Sequence, residues 1–152
     1  MILRYENVRP GVKAPERSNP SDAGLDVFYC PEYDKGAIFI GPTQTAVLPT
    51  GLRFEVPHGY MLEVKNRSSM AAKKQLLVGA CVIDPGYSGE VFINLHNVGM
   101  EPQIINTGDK IAQLVLLPVY HFECLEVPAG TIYDRPVCIS SRGAGGFGST
   151  GS

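Results

Sequence analysis

"TAVLPTGLRFEV" (residues 45–56) sets two short runs, "TAVLP" and "GLRFEV", back to back across Thr50. Neither has room for a stable helix. β-branched and aromatic residues in runs this short, bounded by proline and glycine, read as strands joined by a tight link. The same texture continues outward in both directions: "LDVFYC" (25–30), "AIFI" (37–40), "YMLEVKN" (60–66), "QLLVGACVI" (75–83), "EVFINLHN" (90–97) and "KIAQLVLLPVYHFECLEV" (110–127). Seventeen glycines and twelve prolines punctuate these runs, so the spacing predicts an all-β domain, a sandwich, jelly roll or barrel. Only "SSMAAKKQ" (68–75) departs, with Ser68 or Ser69 placed to cap a short helix of Met, Ala and Lys.

At 152 residues and 44% hydrophobic content the chain matches one domain with one core, residues 1–152. From Pro128 onward the composition shifts to an extended arm, 128–152, ending in the glycine-rich stretch "SSRGAGGFGSTGS" (140–152). Thirteen basic against fifteen acidic residues give a formal charge of −2, and no basic run is present to neutralise a nucleic-acid polymer. An anionic ligand must then be held by a few local donors or by a metal ion. Cys30, Cys81, Cys124 and Cys138 form no C-x-x-C pair, and His58, His96 and His121 fall in no metal-ligand spacing. No apolar run approaches the ~18 residues of a membrane span, and "MILRYENVRP" lacks a secretory pattern. The expectation is a soluble, cytoplasmic protein with free thiols and no membrane partner.

Several segments carry both a plain and a functional reading. "VIDPGYSGEV" (82–91) is a hairpin signal, with Asp84, Pro85 and Gly86 in the order that a type I or II turn uses; Asp84 beside Tyr87 is also placed to act as a general base on water. "NRSSMA" (66–71) is either a serine cap with a solvated arginine or an anion site built from Arg67, Ser68 and Ser69. "DAGLDV" (22–27) is a turn bearing Asp22 and Asp26, and Gln113 in "GDKIAQLVL" (108–116) is a polar residue within an apolar strand. The terminal glycine stretch has no G-K-[ST] and so is not a P-loop, yet Arg142 and Phe147 are unusual in a merely soluble tail.

Taken in order, "AGLDV", "RSSMA", "GACVIDPGYSGEV", "GDKIAQLVL" and "RGAGGFGSTG" resemble the five motifs of the trimeric dUTPase family, over residues 22 to 151. The resemblance implies a jelly-roll-like β subunit, assembly as a homotrimer by exchange of C-terminal arms, and hydrolysis of dUTP to dUMP and pyrophosphate with Mg2+ on the triphosphate. Magnesium's preference for phosphate oxygens and water suits a chain without metal-ligand clusters.

By motif, Asp84 is implied as the base for the water that attacks the α-phosphorus, Asp26 as a support for the water around magnesium, and Gln113 as a contact at the phosphates or nucleophilic water. Arg67, Ser68 and Ser69 are implied to bind the phosphate chain. The backbone of Cys81, Val82 and Ile83, with the returning strand near Phe92, would read the uracil edge, and Tyr87 under the sugar would exclude a ribose 2′-hydroxyl. Phe147 would stack on uracil, while Arg142, Gly148, Ser149 and Thr150 close over the terminal phosphates as a lid. Three positions depart from the family pattern: Cys81 where glycine is common, Val78 where many members place a uracil-binding asparagine, and Asn66 where glycine or proline is usual. A dCTP deaminase-like enzyme and a catalytically silent jelly-roll binding module are the competing readings.

Overall fold

Period-two alternation is what turns these short runs into sheets. In β5 (Leu52–Glu55) Leu52 and Phe54 are buried while Arg53 and Glu55 face solvent, and in β9 (Phe92–Asn97) the buried positions are Ile93, Leu95 and Asn97. The computed structural model describes residues 1–33 and 36–133. The chain divides into two compact units, Met1–Tyr120 and His121–Ser152, and all assigned strands lie in the first.

Two sheets dominate that unit. One has four strands in the order β2 (Leu25–Phe28), β11 (Lys110–Pro118), β6 (Tyr60–Lys65), β8 (Val82–Ile83); the other has three, β4 (Thr45–Pro49), β9, β7 (Leu76–Val78). Two smaller pairs, β1 (Arg4–Asn7) with β5 and β3 (Ala37–Ile40) with β10 (Gln103–Asn106), complete the set. Among the described residues every pairing is antiparallel, and none of the sheets closes on itself. Leu48, Ile93 and Leu95 of the three-stranded sheet share one core with Leu62, Ile111 and Leu114 of the four-stranded sheet. The architecture is an all-β jelly roll with one short helix among the described residues, α1 (Ser68–Lys74).

Local differences from the sequence reading have identifiable causes. The cap of α1 is Arg67, extended at φ −85, ψ 137, with no side-chain cap bond; Ser68 is already the first helical residue, so neither serine caps. The run 75–83 is two strands rather than one, because β7 pairs with β9 and β8 with β6. Between them the chain crosses from one sheet to the other past Gly79, where a Cβ would meet Asn94 Oδ1 and His96 Nε2 at 2.1 Å.

The segment read as a hairpin therefore has its arms, β8 and β9, in different sheets, although its turn forms as expected. Tyr87 N–H donates to Asp84 O (3.2 Å), and Gly86 at φ 85 takes the third position of a type II turn that glycine favours. The strand expected over 110–127 stops at Pro118. Beyond it, Tyr120, Phe122 and Leu125 are exposed, and no further strand is assigned among the described residues. β1 and β10 were not legible as strands; all four β1 side chains are exposed and carry no alternation signal.

Candidate functional site

The sheet crossing creates a cavity. β8 is the last strand of its sheet, and the loop that follows swings over to β9, leaving a space of about 200 Å³ lined by Val82, Ile83, Asp84, Tyr87 and Phe92, with Val64 beneath. Val64 N–H donates to Cys81 O (2.7 Å), and Leu62 faces Ile83 in the ladder. Antiparallel alternation then turns the Val82 N–H and C=O away from β6, toward the open edge. That edge offers backbone donors and acceptors to a planar partner, whereas the Cys81 carbonyl is already engaged.

Asp84 stands at the rim of this cavity, exposed, and no donor or cation among the described residues pairs with its carboxylate. Pro85 and the Gly86 turn fix the backbone that carries it. The Tyr87 hydroxyl donates to Glu90 O (2.8 Å), which lays the ring across the loop beside Gly89.

A second cavity, about 360 Å³, is polar in character and lies between the 18–26 segment, the start of α1 and β11; Asp22, Gly24, Asp26, Arg67, Ser68 and Gln113 line it. Its charges are ordered in a chain. Arg67 Nε donates to Asp26 Oδ1 (2.8 Å), Lys110 Nζ reaches Asp26 Oδ2 (2.8 Å), and the same ammonium contacts Glu16 Oε1 (2.8 Å). Hydrogen bonding to Asp26, then to Glu16, raises the Lys110 pKa, and the bond from Lys110 lowers that of Glu16. Both charges are therefore held through the neutral range. Arg67 Nη1 leans on Ser69 Oγ (3.4 Å), while Ser68 lines the cavity directly.

Gln113 does not face solvent idly. Its Nε2 donates to Asn66 O (2.8 Å), and its Oε1 lies where only a glycine fits: a Cβ on Gly24 would come within 1.8 Å of it. Asn66 in turn accepts Val78 N–H on Oδ1 (2.7 Å), so one residue ties β7, β6 and β11 together beside the cavity. Gly24→Ala is expected to push the Gln113 side chain out of this place, because the clash falls on its movable end. Activity should fall about tenfold with little change in melting temperature, and a kinetic assay alongside a thermal melt checks both.

The two cavities are linked by β6 and the two residues that follow it. Val64 lines the first and Arg67 the second, an interval that extended chain spans in about 10 Å. The structure thus brings together Val82, Ile83, Asp84, Tyr87 and Phe92 in one place and Asp26, Arg67, Ser68 and Gln113 in the other; Ser69 and Cys81 border them. Arg142, Phe147, Gly148, Ser149 and Thr150 lie outside the described residues. Asn66 and Lys110 emerge only here, because their roles rest on contacts across the sheet that spacing does not display. Among the described residues no cluster of three or more His, Cys, Asp or Glu could hold a metal by itself, and no helix is long and apolar enough to cross a membrane.

A family model described as dUTPase matches residues 11–151. The chain is 34% identical over 148 residues to deoxyuridine 5'-triphosphate nucleotidohydrolase of Anaplasma marginale, covering 93% of this chain and 91% of that protein. It is 34% identical over 154 residues to the Picosynechococcus protein of the same name, with 100% of each covered. A mutant Staphylococcus bacteriophage 80alpha dUTPase solved with dUpNHpp superposes with a TM-score of 0.81 at 25% identity over 99% of both chains. A phage phi11 dUTPase, described with a structural Mg(II) ion, superposes with a TM-score of 0.74 at 26% identity, covering 84% of this chain and 97% of that one.

Proposed function

The chain belongs to the dUTPase family and is a dUTP diphosphatase; from that premise we propose that Asp84 activates the water that attacks the α-phosphorus of dUTP, giving dUMP and pyrophosphate. The observation that carries this reading is a carboxylate free of partners among the described residues, fixed on a Pro-Gly turn at the mouth of a cavity with an open strand edge as one wall. Uracil offers an acceptor, donor, acceptor sequence along one edge, which suits the outward-facing backbone N–H and C=O of Val82, with Ile83 fixing the strand against β6. Cytosine reverses part of that sequence and leaves buried groups unpaired. Tyr87, held by Glu90 O, lies under the sugar and leaves no room for a 2′-hydroxyl.

The triphosphate extends along β6 into the second cavity, where Arg67 and Ser68 with Ser69 beside them bind its oxygens and Gln113 orients the water or a phosphate. The residues there suit hydrated Mg2+ on the nucleotide: Asp22 and Asp26 present carboxylates to a cavity without a closed ligand set. When bound, magnesium supplies neutralisation of phosphate charge. Asp26 reaches the cavity already ion-paired, and it holds Arg67 in register for the phosphates. Positioning and charge complementarity provide most of the rate.

The reading includes a homotrimer in which each C-terminal arm crosses to a neighbour, with Phe147 over the base and Arg142, Gly148, Ser149 and Thr150 over the phosphates. The exposed Tyr120, Phe122 and Leu125 support it, because an apolar segment of this kind calls for a partner surface. Pyrophosphate release measured across dUTP, dTTP, dCTP and UTP tests the whole proposal. Release from dUTP alone is the expected result; ammonia from dCTP, or no turnover of any nucleotide with magnesium present, overturns it.

A further inference from the structure

Below the loop that carries Asp84 and Tyr87 lies an ion pair with no part in the chemistry so far. Arg9 Nη1 meets Glu90 Oε2 and Arg9 Nη2 meets Glu90 Oε1, each at 2.8 Å, a two-pronged pairing with side chains only 16% and 15% exposed. Gly51 N–H donates to the same Glu90 Oε1 (2.7 Å), and Arg9 Nη2 also donates to Cys30 O. The neighbours are tied as well: Val8 N–H to Gly51 O (2.8 Å), and the Thr50 hydroxyl to Val91 O (2.6 Å). Arg9 lies ahead of the stretch shared with the family model, residues 11–151.

Glu90 therefore faces two ways. Its carboxylate is anchored in the body of the domain, and its carbonyl oxygen accepts the Tyr87 hydroxyl (2.8 Å). Gly89, on whose missing Cβ position the Tyr87 hydroxyl encroaches (2.6 Å), adds no side chain to hold the ring from that side. Tyr87 itself is 47% exposed and borders two open cavities, so packing alone does not locate it.

We infer that the Arg9–Glu90 pair is a positioning element for sugar selection, setting through the Glu90 carbonyl where the Tyr87 ring stands relative to a bound nucleotide. The inference rests on the reading of Tyr87 as the residue beneath the sugar. A steric test for one hydroxyl group tolerates little play, since a ring free to move by an ångström admits the larger sugar. Asp84 is held by its own turn and feels the change less.

The experiment compares kcat/KM for dUTP and UTP in the wild type, Arg9→Met, Arg9→Lys, Glu90→Gln and Tyr87→Phe, with melting temperatures recorded for each. Arg9→Met is expected to lower the dUTP preference about tenfold, mainly by improving UTP turnover, and Arg9→Lys to recover part of it. Glu90→Gln keeps the Gly51 contact and the side-chain shape, and should fall between. Tyr87→Phe, which removes the bond to Glu90 O, should shift the preference in the same direction and combine with Arg9→Met less than additively. A preference unchanged within twofold in Arg9→Met and Glu90→Gln, whatever happens to the melting temperature, overturns the inference. A wild type that turns over UTP as well as dUTP overturns instead the assignment of Tyr87 on which it rests.

Discussion

An Asp84→Asn enzyme is expected to hydrolyse dUTP about 10²–10⁴-fold more slowly than the wild type, the range that a positioned general base contributes. Asparagine matches the shape of aspartate and sits as comfortably ahead of Pro85 and Gly86, so the turn closed by Tyr87 N–H on Asp84 O is retained. What is lost is the capacity to take a proton from water. Affinity for a non-hydrolysable dUTP analogue should change by less than about threefold, because in the proposed reading the base is held by the β8 edge and the phosphates by Arg67 and its neighbours. Calorimetric titration with the analogue, set beside pyrophosphate release, separates the two quantities. Turnover within tenfold of wild type would move the base elsewhere. Asp26 is a poor substitute, with one oxygen on Arg67 and the other on Lys110.

Strand placement was largely legible because it follows from local sequence: β3 and β4 fall on 37–40 and 45–49, the limits that alternation and the flanking turn residues predict. Helix α1 was equally plain, although its cap was not, since which residue takes the extended conformation depends on how Arg67 is drawn toward Asp26. Sheet membership was not legible. "QLLVGACVI" reads as one strand on its own terms, whereas the chain leaves one sheet for the other at Gly79, which packs too close to Asn94 and His96 for a Cβ. The cavity at Asp84 lies between β8 and β9, strands of different sheets, so the feature that shapes the candidate site most was the least visible one.

The charges of the site divide in the same way. Asp84, Arg67 and Gln113 are singled out by motif, but nothing in "GDKIAQLVL" sets Lys110 apart. Its position between Asp26 and Glu16 comes from the β11–β2 pairing and the Glu16–Asp26 bridge, which no linear pattern encodes. Asn66 looked like a minor loop change and instead joins three strands.

Arg67→Met should lower kcat/KM for dUTP about 10²–10³-fold, the size of effect seen when a single preorganised donor to a developing negative charge is removed. Two losses combine. In the proposed reading the phosphate chain loses its guanidinium, and Asp26, 10% exposed at its side chain, is left with Lys110 as its remaining ion-pair partner among the described residues. Arg67→Lys should recover only part of the rate, since a compact ammonium cannot hold Asp26 through one nitrogen and present others to phosphate. The defect should scale with phosphate content: affinity for deoxyuridine unchanged, affinity for the triphosphate analogue strongly reduced. Because its contacts with Asp26 and Glu16 raise the pKa of Lys110, the remaining cation stays charged across neutral pH, and the Arg67→Met defect should be flat between about pH 6 and 9. Steady-state kinetics over that range and paired titrations with the two ligands check both statements. Equal loss of deoxyuridine and triphosphate binding would show that Arg67 shapes the whole loop rather than serving the phosphates.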